Sequence, residues 1–369
     1  MNGQSQPSGP LIARIQQRLS QTDDANCDLR EDIADLDREG WLTAPLPTRY
    51  GGKGWGSEPT GTVAAFDALR TLGRSNLSLA RLFEGHMNAC KLVALYANDL
   101  LQSEVAAHAH DGALLGVWGA DDPQDPLRWT YEADSVSAPL RLHGAKRFAS
   151  GLGSVSHAVL VVNGEAGPQL LIAPTSDASR ADPSDWNMDG MRATRSGRYD
   201  FSGIGVPERN RIGDTGDYAQ EPYFEGGIWR YCAAHLGAAE TIYEVTRDEL
   251  IARDRADDPH QQKRLVQMAV ALETARLLLL RAALEVEARD GKGEKAVLSL
   301  LAREAVHDTC KRVIHLSEEA LGMSAHAVGS TGERMRRDLA LFLCQAAPDT
   351  KRATIARTLS TTFQLPEFL

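Results

Sequence analysis

The spacing of apolar residues changes twice along this chain, and that double change restricts its architecture more than any other feature. From about Leu11 to His110 apolar residues recur every three or four positions, as in Leu11, Ile15 and Leu19 and again in Val63, Phe66 and Leu69, the period of an amphipathic helix. Between roughly Gly112 and Gly216 the pattern becomes short strands with turn residues between them: Leu114–Trp118, Leu140–Leu142, His157–Val162, Gln169–Ala173 and Arg198–Phe201. Beyond Gly216 helical spacing returns through Leu265, Met268, Leu272, Leu279 and Val286, then Leu298, Leu301, Val313 and Leu316. The expectation is an α+β multidomain protein. It has an N-terminal helical domain over residues 1–111, a middle antiparallel β-domain over 112–216 and a C-terminal helical bundle over 217–369.

Length agrees with several domains, since 369 residues exceed what one hydrophobic core usually organises. With 43% hydrophobic and 24% charged residues the chain is globular in composition. Its 50 acids outnumber its 40 bases, which argues against binding nucleic acid through its phosphates. The first ten residues lack the basic start and apolar run of a signal peptide, and no stretch reads as a membrane span, so a cytoplasmic protein is expected. The five cysteines, Cys27, Cys90, Cys232, Cys310 and Cys344, stand apart from one another and from histidine pairs. They read as reduced structural thiols, with no metal site.

Several segments carry a more specific signal. Arg49-Tyr-Gly-Gly-Lys-Gly54 breaks the first helical region, and Leu72 to Arg81 and His86 follow it. Gly144-Ala-Lys-Arg-Phe-Ala-Ser-Gly151 reads as a strand on which Phe148 and Ser150, two apart, share one face and could meet a planar ligand together. Gly190-Met-Arg-Ala-Thr-Arg-Ser-Gly197, followed by Tyr199 to Pro207, reads as a loop, a strand and a Pro-terminated exit. Near the end stands Glu318 to Asp338, with Gly322, Glu333, Arg337 and Asp338.

Together these segments resemble the acyl-CoA dehydrogenase family. The resemblance implies a C-terminal four-helix bundle domain and a flavin, FAD, held between the β-domain and that bundle. It also implies a homodimer or homotetramer, an acyl-CoA or acyl-carrier thioester as substrate, and a possible electron-transfer partner. Cofactor contacts are then expected at Trp118, Phe148, Ser150, Arg255, Glu319 and Gly322, with Arg230 as a substrate contact. In the Glu318–Asp338 segment three family positions are changed, to Glu319, Met323 and Ala325, and His326 stands for an aromatic residue.

The base that takes the substrate's α-proton is altered too. Counting from Arg337-Asp338, the usual Glu position falls at about Ala346, and the nearest acid is Asp349. The alternative position, at the first helix of the C-terminal domain, falls at Gly227, two residues from Glu225. The catalytic candidates are therefore Glu225 and Asp349. Glu225 also has a purely structural reading, as an acid at a helix N-terminus. Three functions remain open: α,β-desaturation of an acyl thioester, flavin-dependent monooxygenation on the same fold, and a degenerate binding or assembly protein.

Overall fold

The structure is a computed structural model, and it describes residues 9–23, 29–131, 139–164, 167–289, 293–345 and 347–361. Five helices come first: α1 (Gly9–Arg18), α2 (Arg30–Arg38), α3 (Thr62–Ser75), α4 (Leu77–Tyr96) and α5 (Asp99–His110). Helix α4 starts where Asn76 turns extended and its side chain accepts the N–H of Leu79 at 3.2 Å, a side-chain N-cap. Asn98 caps α5 in the same way. The Gly-rich loop before α3 depends on its glycines, since a Cβ on Gly52 would lie 1.9 Å from the Leu46 carbonyl oxygen.

Among the described residues ten short strands follow. They are β1 (Leu114–Trp118), β2 (Arg128–Tyr131), β3 (Leu140–His143), β4 (Ala145–Ala149), β5 (Val155–Gly164), β6 (Gly167–Pro174), β7 (Ala181–Asp182), β8 (Gly197–Asp200), β9 (Gly205–Val206) and β10 (Arg211–Ile212). They form three sheets, β1-β5-β6-β10, β2-β3-β9 and β4-β8-β7. The expected antiparallel arrangement holds except between β1 and β5, which run parallel. Parallel neighbours need a crossover connection, and the segment carrying β2, β3 and β4 supplies it.

The last helices are α6 (Trp229–Ala252), α7 (Pro259–Glu287), α8 (Lys295–Leu321), α9 (Thr331–Phe342) and α10 (Pro348–Thr361). Helix α9 begins at a side-chain N-cap, with Ser330 accepting the N–H of Glu333. The helical and β regions share one continuous core, which includes Leu11, Phe83, Leu142, Phe201, Trp229 and Leu279. Cys90, Cys232 and Cys310 are buried free thiols and Cys344 is an exposed one, whereas Cys27 lies outside the described residues.

The two helical regions meet closely where α3 crosses α6. A Cβ on Gly73 would stand 2.2 Å from the carbonyl oxygen of Ala234, and one on Gly237 would stand 2.0 Å from that of Arg70. Arg70 and Arg74 then both reach Glu240, at 2.7 and 2.8 Å. A Gly237→Ala substitution is expected to push these backbones apart and to lower stability by about 1–3 kcal/mol, the usual range for overpacking. Urea unfolding checks this, and an unchanged midpoint would show that the crossing relaxes freely.

Candidate functional site

A cavity of about 740 Å³ lies between the strands and the helices. One wall comes from the ends of β1 and β4 and the loop before β8, including Val117, Phe148, Ser150, Met191, Thr194 and Ser196. Another wall is one face of α4, with Arg81, Glu84, Asn88, Lys91 and Leu95 repeating at helical spacing. The beginning of α6 and the end of α9 close it, through Gly227, Arg230 and Tyr231 and through Leu341 and Phe342.

The strand wall is built from backbone that most residues avoid. Phe148 has φ +50°, Met191 +53° and Arg195 +44°, in the left-handed region that costs a non-glycine residue about 1–2 kcal/mol. The simple alternation expected for Phe148 and Ser150 is therefore absent. The β4–β8 register shifts between Lys146 and Ala149, and Ser150 stands in the turn after the strand. Both residues nonetheless line the cavity, and the Phe148 ring is 45% exposed within reach of Trp186.

Next to Phe148, three hydroxyls form a chain whose direction can be assigned. Thr194 donates to the Met191 carbonyl at 2.7 Å, so the 2.7 Å contact between Thr194 and Ser196 must be donated by Ser196. Ser196 has then used its hydrogen, and the 2.8 Å contact with Ser150 is donated by Ser150. The oxygen of Ser150 thus keeps acceptor capacity at the cavity wall. A planar ligand with an N–H at its edge, packed on Phe148, fits this wall.

Lys146 of the same motif is fully buried and serves the scaffold. Its ammonium donates to Gly119 O at 3.0 Å, to Asp121 at 2.6 Å and to Val161 O, pinning the end of β1 to β5. Trp118, expected at the cofactor, is buried and does not line the cavity. It donates its indole N–H to the Ser150 carbonyl at 3.1 Å and so supports Ser150 from behind.

Among the described residues Glu84 is the one carboxylate that lines the cavity. It is 3% exposed, and Arg81 and Asn88 each donate to one of its oxygens. Nearby, Lys91 and Arg230 both pair with Glu287, at 2.8 and 2.7 Å. Burial raises the phenols of Tyr218 and Tyr231 above their ordinary range and pushes Tyr96 up to about 12, so these cavity-lining hydroxyls stay neutral donors.

The other expected residues are spread more widely. Glu225 stands just before α6 and is paired with Lys351, which lines the cavity although Glu225 does not. Asp349 is in the first turn of α10 with its side chain 97% exposed, 3.4 Å from Arg352. Gly227 lines the cavity, and so do Gln345 and Ala347, whereas Ala346 between them lies outside the described residues. Arg255 is near Asp258, Glu319 contacts Arg264 and His315, and Gly322 ends α8 with φ +61°; none of the three lines the cavity.

Reading the residues in order brought Phe148, Ser150 and Arg230 to the cavity but missed Glu84, Lys91, Glu287, Thr194 and Ser196. Thr194 and Ser196 sit inside the Gly190–Gly197 motif, whose two hydroxyls two residues apart were the available signal. For Glu84, Asn88 and Lys91 the signal was a polar stripe on a helix that is otherwise apolar.

Residues 217–344 match the family described as acyl-CoA dehydrogenase, C-terminal domain. An L-prolyl-[peptidyl-carrier protein] dehydrogenase of Pseudomonas fluorescens is 26% identical over 87% of each chain. A probable FMNH2-dependent monooxygenase, SfnC of Pseudomonas putida, is 25% identical over 75% of this chain and 72% of its own. Among solved structures, TdsC from Paenibacillus sp. A11-2, described with FMN and indole, superposes with a TM-score of 0.82 at 20% identity, covering 97% of both chains.

Proposed function

We propose, for a chain that belongs to the acyl-CoA dehydrogenase family, that this cavity binds a reduced flavin and serves oxygen insertion into a small organic substrate. The carrying observation is what stands at the two places where the family's α-proton base is expected. Gly227 and the Gln345/Ala347 pair face the cavity and bring no carboxylate to it. Glu225 is held by Lys351 outside the cavity lining, and Asp349 faces solvent.

Bound there, a reduced flavin supplies the two electrons with which dioxygen gives one oxygen atom to the substrate and one to water. Phe148 and Trp186 offer the packing surface for its ring, and the Ser150 oxygen offers an acceptor for the N–H that the ring gains on reduction. FMN is the form we favour, because a flavin mononucleotide needs no more of this chain than the cavity itself supplies. The FMN-containing structural relative supports the same choice.

Equilibrium binding under anaerobic conditions tests this. The protein is expected to take up reduced FMN more tightly than oxidised FMN, and equal affinities would contradict the role given to Ser150. A Ser150→Ala variant is expected to weaken reduced FMN by about tenfold, the equivalent of one hydrogen bond of about 1.4 kcal/mol, and oxidised FMN by less.

The carrier-protein dehydrogenase relative favours a second reading. In it Glu84 takes the α-proton of an acyl thioester, giving up the hydrogen bonds it accepts from Arg81 and Asn88. That reading requires an acyl thioester to bleach bound oxidised flavin without oxygen, and Glu84→Gln to prevent it.

A further inference from the structure

On the helical side of the cavity three charges from three helices meet. Glu287 on α7 is fully buried. It accepts from Lys91 of α4 at 2.8 Å, from Arg230 of α6 at 2.7 Å and from the Trp229 indole at 3.1 Å. Two cations therefore share one carboxylate, and the cluster carries one positive charge in excess. The other ion pairs at the cavity wall, Arg81 with Glu84 and Lys351 with Glu225, each balance.

The donors of the cluster are not used up. Arg230 gives one N–H to Glu287, one to Gly56 O at 2.9 Å and one to Gly227 O at 3.4 Å, while its Nε is buried without any partner. Lys91 gives one N–H to Glu287 and a second, at 3.5 Å, to Ser57 O, which leaves a third. Both cations line the cavity and Glu287 does not. Aromatic faces flank them, with Lys91 4.5 Å from the Tyr223 ring and Arg230 4.8 Å from that of Trp229.

A charge withdrawn from water and left unbalanced is unfavourable, and an arriving anion relieves it. We propose that the Lys91–Arg230 end of the cavity is an anion-binding subsite and that the anion is a carboxylate of the substrate. The proposal rests on the reading of this cavity as the substrate chamber of a flavin enzyme. Burial lowers the proton affinity of Lys91, and a carboxylate beside it would oppose that shift. The flavin phosphate offers the same chemistry, so the test separates the two sources.

Binding of benzoate and of benzamide to the flavin-free full-length protein is measured by calorimetry, together with FMN and riboflavin. Benzoate is expected to bind at least about tenfold more tightly than benzamide, as a charge-assisted contact implies. Lys91→Met should remove that preference and leave benzamide and FMN affinities unchanged. Because Arg230 also bridges three segments, Arg230→Met is secondary, and the wild-type ratio stands by itself.

Equal affinities for benzoate and benzamide would overturn the proposal, as would a preference that survives Lys91→Met. It is overturned too if Lys91→Met weakens FMN and spares riboflavin, which would assign the subsite to the cofactor phosphate. Failure of reduced-flavin binding with the benzoate preference intact would sink the functional reading and leave the subsite standing. The reverse outcome would remove the subsite alone.

Discussion

An Asp338→Ala variant is expected to be less stable by about 3–5 kcal/mol and to bind flavin more weakly, because it removes one partner of a buried ionic contact that also holds the strand wall of the cavity. Asp338 is 1% exposed and accepts the N–H of Met191, itself in a left-handed conformation, at 2.6 Å. Arg334 reaches it at 3.4 Å and extends to the carbonyls of Leu19 and Thr22, while Arg337 pairs with Asp23 at 2.6 Å. One helical turn therefore fastens α9 to the turn after α1 and to the loop that carries Thr194 and Ser196. Asp338→Asn keeps an acceptor for Met191 and should lose only about 1–3 kcal/mol. Urea unfolding of the two variants separates these values, and an Asp338→Ala midpoint equal to wild type would refute the account of this contact.

The protein should also lose stability steeply on acidification below pH 6.5. His86 is buried and satisfied at both ring nitrogens: Nδ1 accepts the N–H of Leu115 at 3.0 Å, so Nε2 carries the hydrogen and donates it to Leu42 O at 2.7 Å. Protonation would break the first of these bonds, and burial pushes this imidazole down to about 4. His235 lies against Tyr231 and Phe342 with Nε2 unpartnered. Burial first, and then the charges of Arg303 and His307, push it down to about 3.

Both groups have a folded-state pKa below the unfolded value, so unfolding takes up protons below pH 6.5. Their contribution is complete above that pH and is lost as the pH falls towards 4 and 3. The slope is about 1.4 kcal/mol per pH unit for each histidine once its unfolded form is protonated, or about 2 kcal/mol each by pH 5. Carboxyls that burial holds above their usual range, such as Asp32 and Asp338, act in the opposite direction. The difference in slope between wild type and His235→Phe therefore isolates one histidine. Identical slopes in the two proteins would show that His235 is not neutral and buried in the folded state.

Much of the architecture was legible in the sequence for a simple reason. Helices with one apolar face and short strands bounded by Gly and Pro keep their periods regardless of what they pack against, so the helical, β, helical order could be read directly. The β1–β5 parallel pair could not be, because alternation says which face is buried and not which strand lies alongside. Gly190 and Asp338 were visible as motif residues. Their shared purpose was not, since a Cβ on Gly190 would stand 2.7 Å from Arg337 O across a gap of more than a hundred residues in sequence.

The site shows the same limit more sharply. Ser150 was legible because it lies in a recognisable strand motif, although a bulge at Phe148 rather than regular alternation brings the two residues to the cavity. Glu84 looks like an ordinary polar position on α4 until the β-domain is packed against that face. The Lys91, Arg230 and Glu287 cluster draws on three helices, and each member alone reads as a charge on an amphipathic surface. Positions without a carboxylate, Gly227 above all, turned out to be as informative as those with one.

The central claim is that the cavity serves reduced-flavin oxygen chemistry without a base for α-proton abstraction. The most direct measurement is the absorbance of the flavin-reconstituted protein, free of oxygen, during titration with acyl-CoA and acyl-pantetheine thioesters of several chain lengths. The account predicts an unchanged flavin band with every thioester. Bleaching by any of them, lost again in Glu84→Gln, would contradict it and make the protein a thioester dehydrogenase with its base on α4.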